Sequence, residues 1–148
     1  YVGSRSTIEA ADIAAVCSDV AEISAFEVAD RIVAGDGRGA LERLDRALRQ
    51  GETPFRFVGL LMRMTRNIAR ARALLETMPK AKAIEALGEA KFVAMKAVAA
   101  AGKITEEDSE SAYELLLYAD YAMKTGRDPA LVVETLVLEL SDLFGGRT

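Results

Sequence analysis

Four groups of residues in this chain have the types and spacing that chemistry can use. Gly35-Asp36-Gly37-Arg38-Gly39 has the glycine density of a loop that cradles phosphate. A dinucleotide fingerprint needs another glycine at position 40, where Ala40 stands, and a strand before the loop, where the pattern reads as helix. No Gly-Lys-Ser/Thr follows, so a turn between two helices is the expected role. The acids Glu106, Glu107, Asp108, Glu110 and Glu114 could hold a cation, but the Glu-x-x-His partners of helical metal sites are missing. They read as a solvated helix start, where the helix dipole favours negative charge. Arg56, Arg63, Arg66 and Arg70 fall within an arc of about 80° at 100° per residue. Such a stripe can meet phosphate, the carboxylates of a partner subunit, or only water and weak surface ion pairs, and all three stay open. Asp120 and Lys124 form an i, i+4 pair in the favourable order, worth ~0.3–0.5 kcal/mol if exposed. Set among Leu116, Leu117 and Tyr121, the pair is expected to fix packing rather than to catalyse.

Absences narrow the chemistry further. The chain has no histidine, which removes Ser-His-Asp and Cys-His catalysis and the histidine-containing zinc and di-iron sites. Its one cysteine, Cys17, can build neither an intrachain disulfide nor a thiolate metal site. No metal, cofactor or catalytic residue is expected.

Helices must position these groups. Ser6-Thr7-Ile8-Glu9 reads as a capping box opening a helix to about Val20, and Ser24-Ala25-Phe26-Glu27 as a second box. The second helix carries Phe26, Ala29, Ile32 and Val33 on one face and stops at Gly35. A third is expected from about Arg38 to Gln50, with Leu41, Leu44 and Leu48 at helical spacing. Thr53-Pro54 starts the longest, whose seam is Phe57, Leu61, Met64, Ile68, Ala71, Leu75 and Met78, ended by Pro79. Shorter helices follow over Lys80–Leu87 and about Ala90–Ala101. Thr105 opens another that runs to Lys124, and Asp128-Pro129 caps the last, to about Phe144. No stretch alternates as a strand would. The expected fold is all-α, a multi-helix bundle of about eight helices packed as antiparallel neighbours.

Nine of the fourteen residues from Leu131 to Phe144 are apolar, and Leu131 and Leu138 point away from the face shared by the others. A helix apolar on more than one side is central to its domain or covered by a partner, and both readings stand. The size of 148 residues suits one domain, and half the residues are apolar, as in a soluble globular protein. A net charge of −4 argues against a surface that grips nucleic acid or an anionic membrane throughout. No apolar run approaches the roughly 18 residues of a membrane span, and a reducing cytoplasm fits the lone cysteine. Opening on Tyr1 rather than Met, the chain reads as part of something longer.

The order of four blocks resembles the C-terminal region of the delta subunit of bacterial DNA polymerase III, part of the sliding-clamp loader. They are "EISAFEVADRIVAGDGRGAL", "GETPFRFVGLLMRMTRNI", "AKFVAMKAV" and "ADYAMKTGRDPALVVETLVLEL", and "TIEAADIAAV" before them is similar to the last helix of the preceding lid. Met64-Thr65 replaces the usual Gln-aromatic pair, and Glu9 stands where a threonine cap is common. The resemblance implies a non-catalytic domain of a subunit that opens the clamp through an N-terminal domain outside this chain and binds no ATP itself. Residues 1–22 would end the AAA+ lid, and residues 23–148 would form the helical collar that holds the loader together. The implied partners are the gamma/tau ATPase and delta-prime subunits, the clamp through that N-terminal domain, and DNA only in the assembled complex. No cofactor and no membrane contact are implied. Phe26, Asp120, Lys124, Asp128 and Pro129 are the structural signature. Leu131, Leu138, Arg56, Arg63, Arg66 and Arg70 are the expected subunit interface, on the surplus leucines and the charge arc.

Three other readings are kept. The collar of the related ATPase or delta-prime subunit shares the "GDGRGAL" and "GETP" portions. An unrelated helical adaptor or ligand-sensing domain predicts a sizeable apolar pocket and a symmetric dimer. An Asp/Glu enzyme predicts converging carboxylates in a cleft.

Overall fold

The computed structural model describes residues 10–146, with side chains from Val20 onward. Its seven helices are α1 (Ala10–Val33), α2 (Gly37–Arg49), α3 (Pro54–Leu75), α4 (Lys80–Ala86), α5 (Lys91–Ala101), α6 (Glu106–Lys124) and α7 (Pro129–Gly145). No strand occurs among the described residues.

The expected starts are made by the residues named for them. Thr53 Oγ1 accepts from the Arg56 amide at 3.3 Å, with Pro54 as the first residue of α3. Thr105 and Asp108 close a full capping box at α6, their side chains each accepting from the other's backbone amide at 3.2 and 3.1 Å. Asp128 accepts from the Ala130 amide at 3.1 Å and Pro129 begins α7. The exception is Ser24. α1 runs unbroken through it, so two expected helices are one, and the described residues form seven helices where about eight were expected. A capping box only offers an alternative partner to a freed amide. Between Val20 and Val33 no glycine or proline interrupts the helix, and the box is read through. The opening expected at Ser6 lies outside the described residues.

Two cores share one wall. The larger gathers Ala25, Val28 and Ile32 of α1, Leu44 of α2, Phe57 and Leu61 of α3, Leu116 of α6, and Val133, Leu136, Val137 and Leu140 of α7. The smaller lies under the second half of α3 and contains Ala71, Ala83, Leu87, Ala94 and Val98 of α3 to α5. The α3 seam is therefore continuous in sequence but divided in space. Phe57, Leu61 and Met64 serve the first core, and Ile68, Ala71, Leu75 and Met78 serve the second.

The glycine-rich loop closes the first core. Gly35 has φ +73°, and a Cβ placed on it would lie 2.6 Å from the Gly145 Cα, so the ends of α1 and α7 meet backbone to backbone. Asp36 caps α2, its Oδ1 accepting from the Gly39 amide at 2.8 Å. That hydrogen bond, with Arg31 at 3.1 Å, holds the Asp36 carboxyl below the usual carboxylate range. The anion seated at this helix start is the chain's own.

Gly35→Ala is expected to cost more than a left-handed conformation alone. Gly88, at φ +69° with nothing within 4 Å of its added Cβ, is the control. Gly88→Ala should lower unfolding free energy by about 1 kcal/mol, and Gly35→Ala by at least about 2 kcal/mol, read from urea midpoints. Equal losses would remove the close approach as a cause.

Candidate partner-binding surface

The four arginines of the stripe meet four different surroundings. Arg63 is a clamp: its Nη1 donates to Glu22 of α1 at 2.8 Å and its Nη2 to Glu89, before α5, at 2.5 Å. The Arg63 hydrogen bond holds the Glu89 carboxyl below its ordinary value, and Glu89 and Glu22 together raise the guanidinium's. Arg70 donates to the Leu87 carbonyl at 3.0 Å, closing the C-terminal end of α4 where a cation suits the dipole. Arg56 and Arg66 are exposed. The stripe is thus not one surface, because two members already have partners within the chain. Arg72, outside the stripe, is also committed inward, donating to the carbonyls of Ala101 and Ile104.

Among the described residues, five of the ten large apolar side chains left exposed are on α6 and α7, with Phe55 on α3 and four more on α1 and α5. Leu131 is 60% exposed and Leu138 42%, two turns apart on one side of α7. Leu131 lines a surface cleft of about 230 Å³ with Tyr118 and Arg127. Leu138 is more enclosed, its Cδ2 lying 3.2 Å from the Cβ position of Gly37 at the start of α2. Leu117 and Tyr121 stand one turn apart on α6, with Tyr118 beside them, all exposed. Exposed apolar groups gathered in one place mark interaction sites, and tyrosine is enriched in interfaces. A second exposed set, Val20 and Ile23 on α1 and Phe92 and Met95 on α5, lies elsewhere.

The sequence matches, over residues 22–140, the family described as the DNA polymerase III delta subunit, C-terminal domain. The chain belongs to this family. Among solved structures it is similar to the Bacillus subtilis DNA clamp loader delta protein, with a TM-score of 0.76 at 26% sequence identity. That similarity covers 95% of this chain and 42% of the other, so the chain spans less than half of its relative's length. No curated protein sequence matches.

In this delta C-terminal domain the five signature residues have structural surroundings. Phe26 is buried, its ring edge-on to Phe92 at 5.3 Å between centroids. Lys96 stands 5.8 Å from the Phe92 ring centre and donates to Asp30 at 2.8 Å, adding a second tie between α1 and α5. Lys124 Nζ donates to Asp120 at 2.8 Å on the half-exposed side of α6. Asp128 and Pro129 start α7.

The sequence reading passed over Tyr118, Glu22, Glu89 and Asn67, and it named Tyr121 only as packing beside Asp120 and Lys124, where the structure leaves Tyr121 and Leu117 exposed. The two tyrosines had a signal. Once Ala112, Leu116, Ala119 and Met123 are assigned to the buried face of α6, Tyr118 and Tyr121 must face outward, as must Leu117. The partners of Arg63 lie 41 and 26 residues away and have none. Asn67 is buried, its Oδ1 accepting from Arg70 at 3.5 Å while Nδ2 lacks a hydrogen-bond partner of good geometry.

The clamp carries a pH signature. A carboxyl whose folded value is depressed contributes stability above its unfolded value, near pH 4.3, and loses that contribution as pH falls through the folded value. Arg63→Met should cost about 1 kcal/mol at pH 7, since the group is partly solvated, and should flatten the fall in urea midpoint below about pH 4.5. Parallel pH curves for the two proteins would show that the Arg63–Glu89 pair is not the source.

Proposed function

We propose that this chain is a non-catalytic assembly domain of a clamp-loader delta subunit, holding its neighbours through the exposed face of α6 and α7. The observation that carries this is the apolar set Leu117, Tyr118, Tyr121 and Leu131, left in water by a chain that buries two cores elsewhere. The family match and the similarity to a clamp loader delta protein support the setting. In it, the neighbours are the loader's ATPase and delta-prime subunits in the cytoplasm, and the clamp is engaged by a domain outside this chain. DNA is met only in the assembled complex.

The division into lid and collar belongs to the same proposal. The family match begins at residue 22, inside α1. Residues 1–22 would end the lid and residues 23–148 form the collar, with one continuous helix crossing the boundary. Val20 and Ile23 lie on that helix, where a preceding domain would cover them. A ligand-sensing role finds less support. That role predicts a sizeable internal apolar pocket, and two apolar pockets between the helices measure about 50 Å³ each. The space that exceeds the roughly 300 Å³ of small-molecule sites is an open groove of about 540 Å³ rimmed by four glutamates.

Copurification with the loader's ATPase subunit tests the proposal. Burying one leucine is worth about 1.5–3 kcal/mol, so Leu131→Asp should weaken association by at least about tenfold with the fold intact. Leu138→Asp should act in the same direction with some loss of stability, because Leu138 also packs beside Gly37. Arg66→Glu and Arg56→Glu test whether the two exposed arginines share the face. Unchanged affinity in folded Leu131→Asp would sink the proposal.

A further inference from the structure

One to two turns before Leu117 and Tyr121, on the same face of α6, a groove of about 540 Å³ runs between the second half of α3 and the first half of α6. Its walls include the alanines Ala69 and Ala73 and the half-buried ring of Tyr113. Its rim carries Glu76, Glu106, Glu110 and Glu114. Two cations reach the groove, Arg66 and Arg72, and Arg72 is held by the carbonyls of Ala101 and Ile104. No ion pair involves any of the four rim carboxylates among the described residues.

Three of these charges sit where the fold alone gains nothing from them. Glu76 is the residue that ends α3, at the negative end of the helix dipole. Glu106, Glu110 and Glu114 repeat every four residues, and like charges at that spacing oppose one another on a helix. The dipole at the α6 start accounts for Glu106 but not for the two beyond the first turn. Arg72 is committed to carbonyls and Arg66 makes no ion pair with the rim among the described residues, so four carboxylates outnumber the one uncommitted cation of the groove. Local charge rules broken in this way point to compensation from outside.

We infer that this groove docks a basic amphipathic helix of a protein partner, small apolar residues inward and lysine or arginine flanking toward the rim. Helix-in-groove binding uses such an apolar stripe. From Thr65 to Glu76 the wall extends about 16 Å at 1.5 Å per residue, room for three helical turns. The same rim repels a phosphate backbone, so nucleic acid is not the occupant.

The probe is a fluorescent synthetic peptide of about five helical turns, with an alanine/leucine stripe and lysines on both sides, added to the full 148-residue chain. Binding read by anisotropy should weaken at least about tenfold in Glu110→Gln/Glu114→Gln and in Ala73→Phe, neither with a lowered urea midpoint. A peptide of the same composition in scrambled order, lacking the stripe, should bind at least about tenfold more weakly. Leu131→Asp should leave peptide binding intact, which separates this groove from the Leu131 cleft between α6 and α7. Equal binding of the scrambled peptide, full binding by either groove variant, or competition by short duplex DNA would each overturn the inference.

Discussion

A single helix has to wall two cores, and the rest of this domain follows from how α3 meets that demand. An amphipathic helix at the edge of a bundle needs one apolar stripe. α3 needs a stripe whose first half faces α1, α6 and α7 and whose second half faces α4 and α5. Where the two halves join, the side chains cannot be fully enclosed by either core, and Met64 and Ile68 are only partly buried. The junction is held by polar contacts instead. Arg63 ties α3 to Glu22 and Glu89 at the level where one core gives way to the other. Lys96 and Asp30 add a second bridge between the helices that flank the junction. Such partly solvated pairs contribute little stability each, and what they add here is a fixed angle between α1, α3 and α5.

Most of the fold was legible because its signals are local. Caps at Thr53, Thr105 and Asp128 fixed three helix starts, and glycines after α2, α4 and α6 fixed three ends. The second capping box failed for an equally local reason. Ser24 can satisfy its surroundings inside a helix, and nothing near it forces the chain to turn. The site was less legible. An arc of four arginines follows from spacing, but whether an arginine faces a partner depends on where distant carboxylates land. Arg63 meets residues 41 and 26 positions away, and Arg70 meets a carbonyl at the end of another helix. No periodicity contains that information. Leu131 and Leu138 were legible because the helix that carries them had more leucines than one face can bury.

Belonging to the delta C-terminal family constrains how the exposed residues are weighed. In an isolated domain, a few apolar side chains in water need no explanation. Here Tyr118, Tyr121, Leu117 and Leu131 lie together, are large, and sit on helices whose other sides are filled by well-enclosed leucines and valines. The core does not lack apolar residues that the surface has taken. The chain carries both in full, and a second set makes physical sense when a second surface has to be dry.

Whole-chain charge conceals how that surface is arranged. The net value of −4 averages two unlike halves. Residues 31–72 hold ten arginines against four acids, and residues 103–142 hold ten acids against three basic groups. Much of the arginine excess is consumed internally by Glu22, Glu27, Asp36, Glu42, Asp45 and Glu89, or by helix-end carbonyls. The acidic excess has fewer internal partners, Lys124 on Asp120 among them. The molecule therefore presents less positive charge than its basic half contains and keeps most of the negative charge of its acidic half. An argument from net charge alone excludes nucleic acid for the wrong reason. It is the distribution that leaves the α6–α7 side with most of its negative charge unpaired inside the chain.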